Sequence, residues 1–153
     1  MTATETSTPA TAGEHGTATA GDHGIAVAGW AGTATAGHRG HATASFFGTA
    51  IAGSFGTAVA GDDGHAIAGH YGTATAGCCG TAVAGDHGTA TAGHYGTATA
   101  GCCGQIAITW WDEPAGRRRL AVGYVGENGI EPDVAYQCDA RGNLVRADEE
   151  WAA

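Results

Sequence analysis

Residues 69–92 read GHYGTATAGCCGTAVAGDHGTATA, which is one octapeptide written three times. The unit, Gly-x-x-Gly-Thr-Ala-x-Ala, recurs eleven times from Gly13 to Ala100, and residues 101–104 open a twelfth copy. Its last four residues alternate with period two, which predicts a short β-strand. Its Gly-x-x-Gly half predicts a tight turn in which glycine supplies the positive φ. A period this short indicates a β-solenoid, in which each unit is stable only when stacked on its neighbours.

The two faces of the predicted strand differ in composition. The sixth and eighth positions of the unit are alanine in all eleven complete copies, whereas the fifth and seventh vary among Thr, Ile, Val and His. Because side chains alternate across a strand, we place the alanines in a thin core and the varied residues outside. The alternative places the larger residues inside and alanine outside.

The number of octads that close one coil is open to two interpretations. An alanine-only interior favours two octads per coil, because a wider triangular coil would leave voids that packed interiors do not tolerate. A period of three is favoured by the near-copy of residues 69–92 that begins at Gly93, and by His41 and His65 in the same octad position. We expect the narrow solenoid with two octads per coil.

The chain of 153 residues is long enough for one domain, which we divide into three segments. Residues 1–12 form a degenerate N-terminal edge unit in which Pro9, lacking an N–H, protects the open edge. Residues 13–108 form the solenoid, and residues 109–153 form a β-rich C-terminal cap. The cap is expected to contain a hairpin with strands near 105–111 and 118–125, followed by a shorter pair near 134–138 and 143–146.

The charge of the chain disfavours direct contact with a nucleic-acid backbone. The formal net charge is −9, lysine is absent, and all six basic residues are arginine. The basic residues cluster at Arg117, Arg118 and Arg119. Such a cluster could contact phosphate groups, but it is equally typical of a solvated hairpin edge. Residues 1–12 have neither the basic start nor the apolar run of a secretory signal, so we expect a cytoplasmic protein without a membrane partner.

Catalytic and metal chemistry have little support in the sequence. Serine does not occur in a nucleophile-elbow motif, and the phosphate loop needs a lysine, so we expect a protein that is not an enzyme and has no cofactor. The pairs Cys78-Cys79 and Cys102-Cys103 lack the spacing of zinc sites. In a coil of three octads the two pairs would stack and allow a metal or disulfide site. In a coil of two octads they fall on opposite edges, so we predict no metal site.

Recognition of a protein partner is the function that we favour. Exposed aromatic residues on a rigid scaffold are typical interface anchors, and here they occupy the variable turn positions and the cap. An acidic solenoid of this kind could also act as an inhibitor from a phage or mobile element that mimics nucleic acid, or assemble with itself through its open edges. The predicted partner-binding residues are Trp30, Phe46, Phe47, Phe55, Tyr71, Tyr95, Trp110, Trp111, Arg117, Arg118 and Arg119.

Ice binding is the alternative function. Thr-x-Thr on a flat strand face can present hydroxyl and methyl groups in rows, although threonine is also simply a good strand residue. On a coil of two octads, neither face would be an unbroken threonine array. The alternative ice-binding residues are Thr17, Thr19, Thr33, Thr35, Thr73, Thr75, Thr89, Thr91, Thr97 and Thr99.

Two resemblances follow from these motifs. The stacked Gly-x-x-Gly-Thr-Ala-x-Ala units resemble the head repeats of trimeric autotransporter adhesins, which also build a narrow solenoid, although those repeats have a different length. The whole chain resembles a loosely defined set of bacterial and phage proteins. These join Gly-x-x-Gly-Thr-Ala-Thr-Ala runs to a tail like Trp110-Trp111 followed by AVGYVGENGI at residues 121–130. This second resemblance implies a capped solenoid and brings no assigned activity.

Overall fold

The computed structural model describes residues 9–148, which form sixteen β-strands and no helix. Twelve strands of three or four residues come from the repeat, and four come from the segment that follows it. The repeat strands are β1 Ala10–Ala12, β2 Thr17–Thr19, β3 Ile25–Ala28, β4 Thr33–Ala36, β5 His41–Ala44, β6 Thr49–Ala52, β7 Thr57–Ala60, β8 His65–Ala68, β9 Thr73–Ala76, β10 Thr81–Ala84, β11 Thr89–Ala92 and β12 Thr97–Ala100. The later strands are β13 Gln105–Asp112, β14 Arg117–Tyr124, β15 Tyr136–Cys138 and β16 Leu144–Arg146.

Two octads close each coil, so the prediction of a narrow all-β solenoid is confirmed. Odd-numbered strands of the repeat form one parallel sheet and even-numbered strands form the other. We call these sheet A and sheet B. Each residue pairs with the equivalent residue two octads later, as Thr57 does with Thr73 and Ala58 with Ala74. The triplet pattern in the turn residues therefore does not reflect coil geometry.

The interior of the solenoid consists of alanine methyl groups. From Ala26 to Ala100, every alanine at the sixth or eighth position is at most 3% exposed. The fifth and seventh positions point outward, where Ile25 is 40% exposed and Val59 is 37% exposed. The prediction of a thin alanine core is confirmed, and the alternative with larger residues inside is wrong.

The turns correct one part of the sequence interpretation, because their glycines do not supply the positive φ. The left-handed residue is instead the third one of each octad, for example Ala31 with φ 51° and Tyr95 with φ 59°. Most of these glycines are needed for space, although Ser45 takes the first position of one octad. A Cβ on Gly72 would lie 2.8 Å from the Cβ of Ala68, and a Cβ on Gly85 would lie 2.9 Å from the carbonyl carbon of Gly69 in the coil below. These approaches lie well inside van der Waals contact.

Hydrogen bonds continue the sheet ladders through the turns. Within a turn, the Gly72 amide donates to the Gly69 carbonyl at 3.0 Å. Between coils, the Tyr71 amide donates to the Asp86 carbonyl at 2.8 Å, and equivalent bonds join the other stacked turns from His15 to His87. The turns are therefore held by backbone bonding that does not depend on their side chains.

The C-terminal segment extends both sheets with antiparallel strands. The predicted hairpin is present as β13 and β14, and the predicted shorter pair is present as β15 and β16. Strand β14 lies beside β13 at the end of sheet A, while β15 and β16 follow β12 in sheet B.

The interior becomes larger at this end, because isoleucine replaces alanine in β13. Ile106 and Ile108 are fully buried and pack in one cluster with Ile130 and Tyr136. Gly123 leaves the room that this needs, since a Cβ there would lie 2.1 Å from Cδ1 of Ile130.

Part of the predicted N-terminal unit lies outside the described residues, as does the end of the predicted C-terminal cap. Strand β1 pairs in parallel with β3, and Pro9 precedes it. Residues 1–8 and 149–153 are not described.

The alanine core makes a direct stability prediction. Ala58→Val adds two methyl groups between the sheets, where Ala58 is fully buried, and we expect the free energy of unfolding to fall by about 1–3 kcal/mol. The matched control is Thr57→Val on the outer face of the same strand, which we expect to change stability by less than about 0.5 kcal/mol. Urea unfolding followed by circular dichroism measures both variants. Equal loss of stability in the two would show that the space between the sheets is not the constraint.

Candidate binding edge and pocket

The coil sorts the turn residues onto two edges of the solenoid. We call the edge that carries the turns at 13–16, 29–32, 45–48, 61–64, 77–80 and 93–96 the first edge. The second edge carries the turns at 21–24, 37–40, 53–56, 69–72, 85–88 and 101–104. The predicted partner-binding aromatics are therefore divided between two surfaces, because each octad moves the chain from one edge to the other.

The first edge carries an exposed aromatic cluster near the N-terminal end. Trp30, Phe46 and Phe47 are 45%, 53% and 56% exposed. The rings of Trp30 and Phe47 meet edge to face with centroids 5.9 Å apart, and His15 packs against Trp30 at 4.9 Å. Mutual packing of this kind holds the rings in place while leaving about half of each side chain in solvent.

The second edge uses its aromatics differently, as a stacked ladder along the solenoid axis. The rings of Phe55 and Tyr71 are 5.0 Å apart with an interplanar angle of 2°, and Tyr71 and His87 are 4.7 Å apart at 8°. These separations match the spacing of neighbouring strands, which is about 4.7–4.9 Å. His38 meets Phe55 at 5.5 Å, and the Arg39 guanidinium lies 5.7 Å from the Phe55 centroid. Phe55 and Tyr71 remain 51% and 55% exposed, but their rings stack on neighbouring rings, which favours a stabilising role for both side chains.

A pocket forms on the first edge where the repeat ends. An octad would turn at residue 109, but Thr109-Trp110-Trp111-Asp112 contains no glycine, and β13 continues in an extended conformation to Asp112. The extended end of β13 and the last turn of the first edge form two sides of the pocket. The β15–β16 turn forms the third side. The resulting cavity of about 440 Å³ is lined by His94, Tyr95, Trp110, Trp111, Glu113, Cys138, Asp139 and Ala140.

The pocket walls are held by contacts within the protein. The Trp110 ring abuts Gly142, where a Cβ would lie 2.4 Å from Cζ2 of the indole. The rings of His94 and Tyr95 stack with centroids 3.8 Å apart. Tyr95 is 74% exposed and Trp111 is 40% exposed, so these two side chains stand at the mouth.

Asp139 keeps its negative charge beside the pocket. Its Oδ1 accepts bonds from the amides of Arg141 and Asn143, each at 2.8 Å, and its Oδ2 accepts one from the Asn143 side chain at 2.9 Å. Partial burial, the largest single influence, raises the pKa of this carboxyl. The bonds from Asn143 and Arg141, together with the charge of Arg141, outweigh burial and lower the pKa below its ordinary value of 3.8.

The predicted basic cluster lies on β14, next to the predicted tryptophans. Arg117, Arg118 and Arg119 are exposed and stand opposite Asp112, Trp111 and Trp110 across the hairpin. Arg119 forms an ion pair with Asp112 through its Nε. The cluster is therefore partly neutralised by its own hairpin.

The predicted ice-binding threonines lie on opposite faces. Thr73, Thr75, Thr89 and Thr91 share sheet A, whereas the other six are on sheet B. In sheet B, β6, β8 and β10 interrupt the threonines with Ile51, His65, Ile67 and Val83. Outward side chains that pair from strand to strand form columns along each sheet, and glutamine follows the last threonine in two of them. Gln105 Nε2 donates to Thr89 Oγ1 at 2.7 Å, and Gln137 Nε2 donates to Thr97 Oγ1 at 3.0 Å. Strands with threonine at both outward positions adjoin in groups of at most two, although single columns such as Thr57, Thr73 and Thr89 span three strands.

The two cysteine pairs fall on opposite edges, because two octads close a coil. Cys78 and Cys79 are on the first edge, and Cys102 and Cys103 are on the second. Across residues 9–148, no group of three or more His, Cys, Asp or Glu side chains is arranged to hold a metal ion. The described part of the chain also contains no helix that is long and apolar enough to cross a membrane.

Five pocket residues were missed by the sequence analysis, namely His94, Glu113, Cys138, Asp139 and Ala140. A signal for the site exists in the sequence, since the glycine expected at position 109 is absent and Asp139-Ala140-Arg141-Gly142 has the composition of a tight turn. What the sequence did not show is that this turn returns to the first edge beside His94.

Comparison of the chain with protein-family models, with curated proteins and with solved structures found no match in any of the three.

The Asp139 turn predicts a pH dependence of stability. Because the folded pKa is lowered, the carboxylate stabilises the fold fully above the ordinary value of 3.8, and this contribution is lost as the pH falls through the lower folded value. We therefore expect Asp139→Asn to lower the urea midpoint at pH 7 and to have a smaller effect as the pH falls below 3.8. Glu127→Gln is the control and should leave the midpoint unchanged across this pH range. A destabilisation by Asp139→Asn that persists undiminished at low pH would contradict the charge-based explanation.

The divided threonine faces predict weak or no action on ice. A lattice plane is matched by a continuous array, whereas strands with threonine at both outward positions adjoin here in groups of only two. We expect the purified protein to show neither thermal hysteresis nor inhibition of ice recrystallisation. Clear activity that is abolished by Thr73→Tyr with Thr89→Tyr, and kept by Phe46→Ala, would instead make sheet A the functional face.

Proposed function

We propose that this chain is a non-enzymatic binding protein that recognises a protein partner along its first edge. The observation that carries the proposal is the placement of exposed aromatics at both ends of this one edge. Trp30, Phe46 and Phe47 lie at one end, and Tyr95 lies with Trp110 and Trp111 at the other. Aromatic anchors of this kind dominate the binding energy of protein interfaces.

The spacing along the first edge suits a short segment of a partner. Four coil steps separate the turn of Trp30 from the turn of Tyr95, which amounts to roughly 19 Å at the usual strand spacing. An extended peptide of about six residues would span this length. One partner segment could therefore contact both aromatic clusters at once.

The charge between the two clusters favours a basic partner. Asp62 and Asp63 occupy the next turn along the first edge after the turn that carries Phe47. The Cys78 amide donates a hydrogen bond of 2.7 Å to the Asp62 carboxylate and thereby orients it. The chain as a whole has a formal net charge of −9. Complementary charge steers encounter and sets specificity, so a partner with a basic surface or cleft is favoured. An inhibitor that occupies a nucleic-acid-binding cleft is one form that such a function would take.

The rigidity of the scaffold also supports binding. The turn backbones are tied to one another between coils, as by the bond of the Cys79 amide to the His94 carbonyl at 2.9 Å. The side chains that they carry are thus presented on a surface that loses little conformational freedom on association.

Affinity capture from a lysate of the source organism tests the proposal. The test bait is Phe46→Ala with Phe47→Ala, and the matched control is Phe55→Ala with Tyr71→Ala on the second edge. We expect a partner that wild type and control retain and that the first-edge variant captures about tenfold less well or worse. Circular dichroism establishes that all three baits are folded.

Three outcomes would contradict this assignment. Loss of capture by the control bait alone would move the binding surface to the second edge. Equal capture by all three baits would remove the aromatics from the interface. Capture by none of the folded baits would count against a protein partner.

A further inference from the structure

We propose that the pocket at the end of the first edge binds a cationic side chain, with arginine preferred over lysine. This inference deepens the proposed function and rests on it, since the arginine would belong to the partner. It identifies the pocket as a specific subsite within the edge and gives the chemistry of its ligand.

The pocket combines the two features that favour an organic cation. Tyr95, Trp110 and Trp111 supply aromatic surfaces, whose faces attract cations through the ring quadrupole. Glu113 and Asp139 supply carboxylates on the same cavity. A neutral apolar ligand would gain from the rings alone, and a metal ion would gain from the carboxylates alone, whereas a guanidinium gains from both.

The two carboxylates have different roles in this arrangement. Asp139 is occupied by its turn, because Asn143 and Arg141 donate to both of its oxygens. It therefore contributes a fixed negative charge. Glu113 is exposed at the start of the β13–β14 turn, where its carboxylate can rotate toward a ligand. A planar guanidinium can stack on an aromatic ring and bond a carboxylate in two places, which an ammonium cannot do.

Two arginines of the chain have partners that compete with binding to the pocket rings. Arg39 lies over the Phe55 ring on the second edge, away from the pocket. Arg119 stands opposite Trp110 in the hairpin register but forms an ion pair with Asp112. The charge of Arg141 acts on Asp139, where it contributes to lowering the pKa of that carboxyl.

The pocket is also preorganised, as a recognition site needs to be. Gly142 holds the Trp110 ring, and the His94 ring stacks on that of Tyr95. The overhang of β13 past the last turn places Trp110 and Trp111 beside the first edge without a flexible loop. Little conformational freedom is therefore lost when a side chain enters.

The experiment is an NMR titration of the full chain with Nα-acetyl-arginine amide, followed through the tryptophan indole N–H signals. We expect the signals of Trp110 and Trp111 to shift in a saturable way, while that of Trp30 at the other end of the edge does not. The corresponding citrulline amide has nearly the same shape without the charge, and it should produce no saturable shift. The corresponding lysine amide should bind more weakly than the arginine amide.

Two variants and one control test the assigned roles. Glu113→Gln removes a charge and Tyr95→Ala removes a wall, and each should weaken arginine binding by about threefold or more. Phe55→Ala on the second edge should leave binding unchanged. The proposal is overturned if citrulline shifts the same signals with equal affinity, or if neither Glu113→Gln nor Tyr95→Ala weakens binding.

This titration uses no partner, so its outcome can be separated from that of affinity capture. Arginine-specific shifts without a captured partner would retain the pocket chemistry and reject the proposed function. A captured partner without any response of Trp110 and Trp111 to arginine would retain the function and reject the pocket as its cation subsite.

Discussion

The close approach of the two sheets is the constraint on which the rest of this structure depends. In the eleven complete octads only alanine occupies the sixth and eighth positions, where Ala58 and Ala74 have no exposed surface. Glycine is required at the turns for the same reason, since a Cβ on Gly72 would press on the methyl group of Ala68. Small side chains bury little apolar area each, so the repeated backbone hydrogen bonds must hold the stack together to a greater extent than in an ordinary core.

Because backbone hydrogen bonds hold the stack together, the turn side chains are free to vary. The third turn residue takes a left-handed conformation that is costly for residues other than glycine, yet Phe, Tyr, Cys and His all occupy it. The bonds between stacked turns hold that conformation whatever the side chain. Variable side chains can therefore be placed on a regular framework, and the two edges use this in different ways. The second edge stacks Phe55 on Tyr71, whereas the first edge packs Trp30 edge to face against Phe47, and all four side chains remain about half exposed.

The end of the repeat is where geometry creates a concave site. A regular solenoid has flat faces and narrow edges, neither of which encloses a ligand. The pocket arises because β13 stays extended after Ile108 where an octad would turn. Strand β13 also ends the parallel stacking, since it pairs in parallel with β11 and antiparallel with β14. Isoleucine in place of alanine widens the interior at the same point, which gives Ile130 and Tyr136 a place to pack. The change of packing that ends the repeat thus also shapes the proposed binding site.

The sequence by itself determined the all-β solenoid, the alanine interior and the terminal hairpins, because these depend on local alternation and on side-chain size. It also indicated that aromatic turn residues could form a surface. Only the tertiary structure decided which turns share an edge, since that depends on the number of octads per coil. Tyr71 and Tyr95 stand in similar octads, yet they lie on opposite edges and have different neighbours. The proximity of Asp139 to Tyr95 was likewise decided by antiparallel pairing across about forty residues, which a local pattern does not encode.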